Sequence, residues 1–130
     1  MSSQSVLNIC NPKVIKCLAD HVNNSEATQQ YLRLMYMTLY AVLQEDLEVE
    51  KRLYYLWYTA FFLRIWRAWI IRHEEYTLQN NFISLNNYIC IEINAHGMYN
   101  LILKHINRGN FEGFNPYMSS SQPCESLYRY

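Results

Sequence analysis

The stretch "LYYLWYTAFFLRIWRAWII" (residues 53–71) decides the fold. Apart from Thr59, Arg64 and Arg67, every position in it is apolar or aromatic, and no glycine or proline interrupts it. Its length matches the roughly 20 residues that cross a bilayer as a helix. Two features argue against that reading. Arg64 and Arg67 would each cost roughly 2.5–3.5 kcal/mol near a bilayer centre. Tyrosine and tryptophan also fill positions where spanning helices carry aliphatic side chains. The stretch therefore reads as the central helix of a helical bundle, apolar nearly all round because other helices surround it. A membrane-associated role for this helix is the disfavoured alternative.

The flanks fit a helix over about 47–75. Glu45, Asp46, Glu48 and Glu50 gather at its start, and Arg64, Arg67, Arg72 and His73 toward its end. Acid at the N-terminus and base at the C-terminus both complement the helix dipole.

Further signals upstream give two more helices. In "NPKVIKCLADHV", Asn11 suits an N-cap and Pro12 the first helical position, where a missing N–H costs nothing. Val14, Leu18 and Val22 recur at i, i+4 and i+8 and give this helix an apolar face, and it ends near Asn23 and Asn24. Ser25 caps the next helix, "EATQQYLRLMYMTLYAVLQ", with a stripe of Tyr31, Met35, Leu39 and Val42 widened by Leu32, Tyr36 and Leu43.

Downstream, "TLQNNF" (77–82) reads as a turn. Ser84 reads as the N-cap of a helix over 85–107. One stripe on that helix is Tyr88, Ile91, Ala95, Met98 and Ile102, and a second is Leu85, Ile89 and Ile93. The other side carries Asn87, Asn94, Asn100, Lys104 and Arg108. Gly97 sits inside this helix at a cost of about 1 kcal/mol relative to alanine, which suggests a close helix crossing or a bend. Residues 108–123 form a loop, and "CESLYRY" begins a new helical pattern.

The expected architecture is an all-α bundle of about four long helices with a short C-terminal helix start. Residues 1–110 form the bundle, and 111–130 the loop and helix start. The 130-residue length suits one domain with its own core. The composition, 51% hydrophobic with only three glycines and three prolines, suits long uninterrupted helices and excludes a disordered chain.

The formal net charge is zero, so a DNA contact would have to be local or supplied by other parts of a larger protein. Four cysteines, at 10, 17, 90 and 124, form no CxxC pair. The N-terminus lacks the basic start and apolar core of a secretory signal. Reduced thiols in a nuclear or cytoplasmic protein are the expectation, with Cys10 and Cys17 as small buried hydrophobes.

Two groups of residues are candidates for chemistry. Glu92 and His96 lie four apart on one helix side. Two groups are too few for a closed metal site, and Cys90 lies off their line, so the pair reads as an i,i+4 hydrogen bond. Arg64, Arg67 and Arg72, interleaved with Trp66 and Trp69, are the candidate nucleic-acid contacts, by phosphate pairing and base stacking. The competing reading has these arginines snorkelling, pairing with Glu48 or Glu50, or stacking on tryptophan. No GxSxG, phosphate-binding glycine loop or HExxH occurs in the sequence.

The segment "SSQPCESLYR" (120–129) resembles the C-terminal motif of P-element-type transposases, the THAP-domain-bearing, hAT-related DDE enzymes. Ser121, Gln122 and Glu125 match that motif in spacing, and Tyr128 takes its aromatic place. Arg129 stands one residue early, and Cys124-Glu125 replaces the usual apolar-acidic pair. Residues 52–70 and 81–102 are similar to the helical segments that precede the motif in transposon-derived proteins. The resemblance implies a helical insertion domain that runs up to the catalytic glutamate, with Glu125 as the third metal-binding carboxylate. Mg2+ would act only in a complete transposase, because the chemistry needs clustered carboxylates around two metal ions. The only aspartates, Asp20 and Asp46, fall in or between helical segments and do not match the family's other two.

The chain is accordingly expected to be a catalytically incomplete fragment or decayed copy that contacts DNA or a nucleotide within an intact protein. The alternative is a stand-alone helical interaction module, domesticated from a transposon, with a protein partner or a second copy as its ligand.

Overall fold

A computed structural model describes residues 3–109, and every element in it is helical. In chain order these are α1 (Ser3–Ile9), α2 (Pro12–His21), α3 (Glu26–Leu43), α4 (Val49–Arg72), α5 (Leu78–Asn81) and α6 (Leu85–Asn107). The all-α bundle expected from the sequence is present, with α2, α3, α4 and α6 as its long members. The loop and helix start at 111–130, and with them Cys124 and Glu125, lie outside the described residues.

The starts of the helices follow their capping chemistry. The Asn11 side chain accepts from the Lys13 amide at 2.9 Å, with Pro12 at the first helical position of α2. The Ser84 hydroxyl accepts from the Asn87 amide at 3.3 Å. Ser25 occupies the cap position of α3 but makes no side-chain cap bond there. It is buried, and its hydroxyl donates back to the carbonyls of Val22 and Leu18, fastening the end of α2. Asn24 makes the turn between them at φ +57°, a left-handed conformation that asparagine tolerates better than most residues.

Helix α4 forms the middle of a layer, with α3 packed on one side and α6 on the other, while α1 and α2 pack on α3. The core joins Leu34 and Ala41 of α3, Leu56, Ala60 and Leu63 of α4, and Ile91 and Ala95 of α6. Residues 73–84 return the chain from α4 to α6. Phe82 is pinned there between Trp66 and Tyr88, in edge-on ring contacts of 5.2 and 5.5 Å.

Several expectations need correction. Helix α1 was not anticipated, and the turn at 77–82 contains the short helix α5. On α2 the buried side chain is Ile15, while Val14 and Val22 are exposed. On α3 the buried line is Leu34, Thr38 and Ala41, and Tyr31 is exposed. On α6 the first stripe is buried through Ile91, Ala95 and Ile102, but Leu85, Ile89 and Ile93 face outward. Gly97 is exposed, and a Cβ added there would meet no atom within 4 Å, so it supports no close crossing. Helix α4 is not enclosed on all sides: Tyr54, Phe61 and Ile65 remain exposed, Ile65 to 71%. No helix among the described residues is long and apolar enough to cross a membrane.

Candidate functional site

The polar residues of interest collect along the contact between α4 and α6. Arg64, in the second half of α4, reaches Glu92 of α6. Its Nε donates to Glu92 Oε1 at 2.7 Å and its Nη2 to Oε2 at 2.6 Å. This two-pronged geometry matches a planar guanidinium to a carboxylate. The arginine holds the Glu92 carboxyl below the ordinary carboxylate range, with a smaller contribution from Tyr88. His96, one turn further along α6, places Nε2 3.4 Å from Glu92 Oε2 and 3.1 Å from Arg64 Nη2. Its ring lies edge-on to Trp57 at 4.8 Å, and the Arg64 guanidinium sits over both Trp57 and Phe61. Aromatic rings thus flank a polar cluster of Arg64, Glu92 and His96.

Glu92 and His96 face each other at i,i+4 as their spacing indicated, but at 3.4 Å, and the hydrogen-bond partner of each is Arg64. The principal partner of Glu92 is thus the arginine across the helix interface. That partner replaces the expected pairing of the arginines with Glu48 or Glu50, while the expected stacking on tryptophan is found at Trp57.

The three arginines singled out for nucleic acid do not form one free basic strip. Arg64 is occupied by Glu92, Arg67 lies over the Tyr88 ring at 5.9 Å, and Arg72 is exposed in the last turn of α4. Among the described residues no group of three or more His, Cys, Asp or Glu side chains is placed to hold a metal ion. Asp20 lies in α2, and Asp46 in the connection between α3 and α4. Cys10 is buried, whereas Cys17 is exposed rather than packed, as is Cys90.

Sequence reasoning missed Arg52. It lies in the first turns of α4 and is only 1% exposed, yet among the described residues no carboxylate pairs with it. Its guanidinium donates instead to main-chain carbonyls at the end of α3 and just beyond it. These are Ala41 in the last turn, Gln44 at 2.7 Å, Leu47 at 3.2 Å and, at the longer distance of 3.5 Å, Glu45. The last carbonyls of a helix lack internal partners and carry the negative end of its dipole, so a cation there answers both needs. Burial lowers the Arg52 pKa, and Nε finds no hydrogen-bond partner among the described residues. Arg52 is therefore a staple between α3 and α4.

Sequence reasoning also missed an uncovered apolar surface. Between α3 and α4 runs an open groove of about 340 Å³, lined by Tyr31, Ile65, Trp66 and Trp69 among others. It opens onto the exposed face of α4. Its sequence signal is the absence of any polar arc on α4, which had suggested complete enclosure.

No family model matches the chain, and no curated protein or solved structure is significantly similar to it.

Proposed function

We propose that this chain is a helical interaction module that docks a protein partner on the outer face of α4 and the adjoining groove. The observation that carries the reading is the exposure of Tyr54, Phe61, Ile65 and Trp69 along a single helix, beside a groove with almost no polar lining. Contiguous aromatic surface of this kind marks interfaces, whose central contacts are enriched in tryptophan and tyrosine. The Arg64–Glu92 clamp and the Arg52 staple support it, because they hold α3, α4 and α6 together and leave most of that face open, Arg64 touching it only at Phe61.

The test is a photo-cross-linking amino acid at position 65, introduced into the full chain in cells that express it. A discrete cross-linked species at position 65, and none from position 87 on the polar side of α6, is the expected result. Equal or absent cross-linking at both positions overturns the reading.

Descent from the insertion domain of a P-element-type transposase is a second reading, favoured by the all-α architecture that such a domain requires. Nuclear residence and DNA contact through Arg72 would belong to it. It expects a gel shift with duplex DNA at low salt that is lost at moderate salt and by Arg72→Ala. Binding indifferent to that substitution counts against it.

A further inference from the structure

The outer face of α4 carries a pattern that chooses its own partner. Six exposed residues lie along it: Glu50, Tyr54, Phe61, Ile65, Ala68 and Arg72. At 3.6 residues per turn they fall within an arc of about 60°. Ile65 apart, whose counterpart is the half-buried Trp57, their order is symmetric about Phe61. Glu50 lies eleven residues before it and Arg72 eleven after, while Tyr54 lies seven before and Ala68 seven after. Each symmetric pair is complementary, one acid with one base and one bulky ring with one methyl.

We infer that this face pairs with a second copy of the same chain, with the two α4 helices antiparallel about a two-fold axis at Phe61. The inference rests on the interaction-module reading and names its partner. In the antiparallel arrangement Glu50 of each copy meets Arg72 of the other, and Tyr54 projects over the small Ala68. The Phe61 rings meet on the axis. A parallel arrangement would set Glu50 against Glu50 and Arg72 against Arg72, and like charges in register are repelled. Helix α4 has 24 residues and so extends about 36 Å, long enough for both end pairs to form at once. The second copy would also account for the apolar character of α4 on the side that α3 and α6 leave open. An isologous contact of this kind is the commonest in homo-oligomers.

Sedimentation equilibrium of the full 130-residue chain tests the inference. The wild type is expected to dimerise at micromolar concentration, and added salt to weaken the dimer. Glu50→Arg and Arg72→Glu should each raise the dissociation constant about tenfold. The double variant E50R/R72E should return it close to the wild-type value. Both substitutions are at exposed positions, and circular dichroism establishes that each variant is folded. A wild type that stays monomeric up to submillimolar concentration overturns the inference, as do single variants without effect or a double variant without rescue. If position 65 cross-links only to a different protein, the interaction-module reading stands and self-pairing does not. If it cross-links to nothing, both fall.

Discussion

Arg64 of α4 grips Glu92 of α6 through two short hydrogen bonds, of 2.7 and 2.6 Å, and His96 and Trp57 close around the pair. The Glu92 side chain is 18% exposed and that of Arg64 38%, so the pair is only partly shielded from water. Glu92→Gln keeps the shape but loses the charge, and should cost about 1 kcal/mol, near the upper end for partly exposed pairs. The pH dependence has a definite sign. The Glu92 pKa is lowered in the folded chain, chiefly by the hydrogen bonds from Arg64. Its contribution is therefore complete above the ordinary carboxylate range and fades as pH falls through the depressed folded value. Urea midpoints measured from neutral to acid pH should fall less steeply for Glu92→Gln than for wild type. Parallel curves would show that the pair adds no pH-linked stability.

Arg52 should be the costliest polar residue to replace. Its guanidinium donates to four main-chain carbonyls, of Ala41, Gln44, Glu45 and Leu47, in a buried setting. Arg52→Met keeps much of the volume and strands those acceptors, at an expected cost of about 2–4 kcal/mol in chemical denaturation. Arg52→Lys should recover only part of that loss, since one ammonium cannot reproduce the fork of a guanidinium. A methionine variant as stable as wild type would mean that water replaces the staple at no cost.

The long helices could be read because their caps and lengths are local properties. Asn11-Pro12, Ser84 and the unbroken apolar run at 53–71 each declare themselves within a few residues. Which arc of each helix is buried could not be read in the same way. Helix α6 carries two apolar stripes, and only the position of α4 buries Ile91 and Ala95 rather than Ile89 and Ile93. Helix α4 is apolar all round, so periodicity could not indicate its open side. The Glu92–His96 spacing was visible within one helix, whereas Arg64–Glu92 depends on the register between two. Arg52 had a partial signal: asking which donor meets the last carbonyls of α3 points to the first cations after it, Lys51 and Arg52, and only the fold turns Arg52 inward and leaves Lys51 exposed.

Thiol accessibility offers an independent check on the placement of α1 and α2. Cys10 lies at their junction and is buried, and that burial raises its pKa, which slows formation of the reactive thiolate. Cys17 and Cys90 are exposed on α2 and α6. Alkylation of the folded chain, followed by peptide mass analysis, should modify Cys17 and Cys90 well before Cys10. Denaturant should remove the difference. Early labelling of Cys10 would mean that the junction of α1 and α2 does not stay buried.

Ala95 and Gly97 should respond in opposite senses to added carbon, although they are two residues apart on α6. Ala95 is fully buried in the core that joins α3, α4 and α6, beside the equally buried Ala60 of α4. A larger side chain there must push helices apart or leave its preferred rotamer. Ala95→Leu is expected to destabilise by about 1–3 kcal/mol. Gly97 faces solvent, and its added methyl group would meet nothing within 4 Å. Gly97→Ala removes backbone freedom from the unfolded chain without steric cost, and should stabilise by up to about 1 kcal/mol. Urea denaturation of both variants reads the two signs directly. A destabilising Gly97→Ala would show that α6 bends at this position or that another surface covers it.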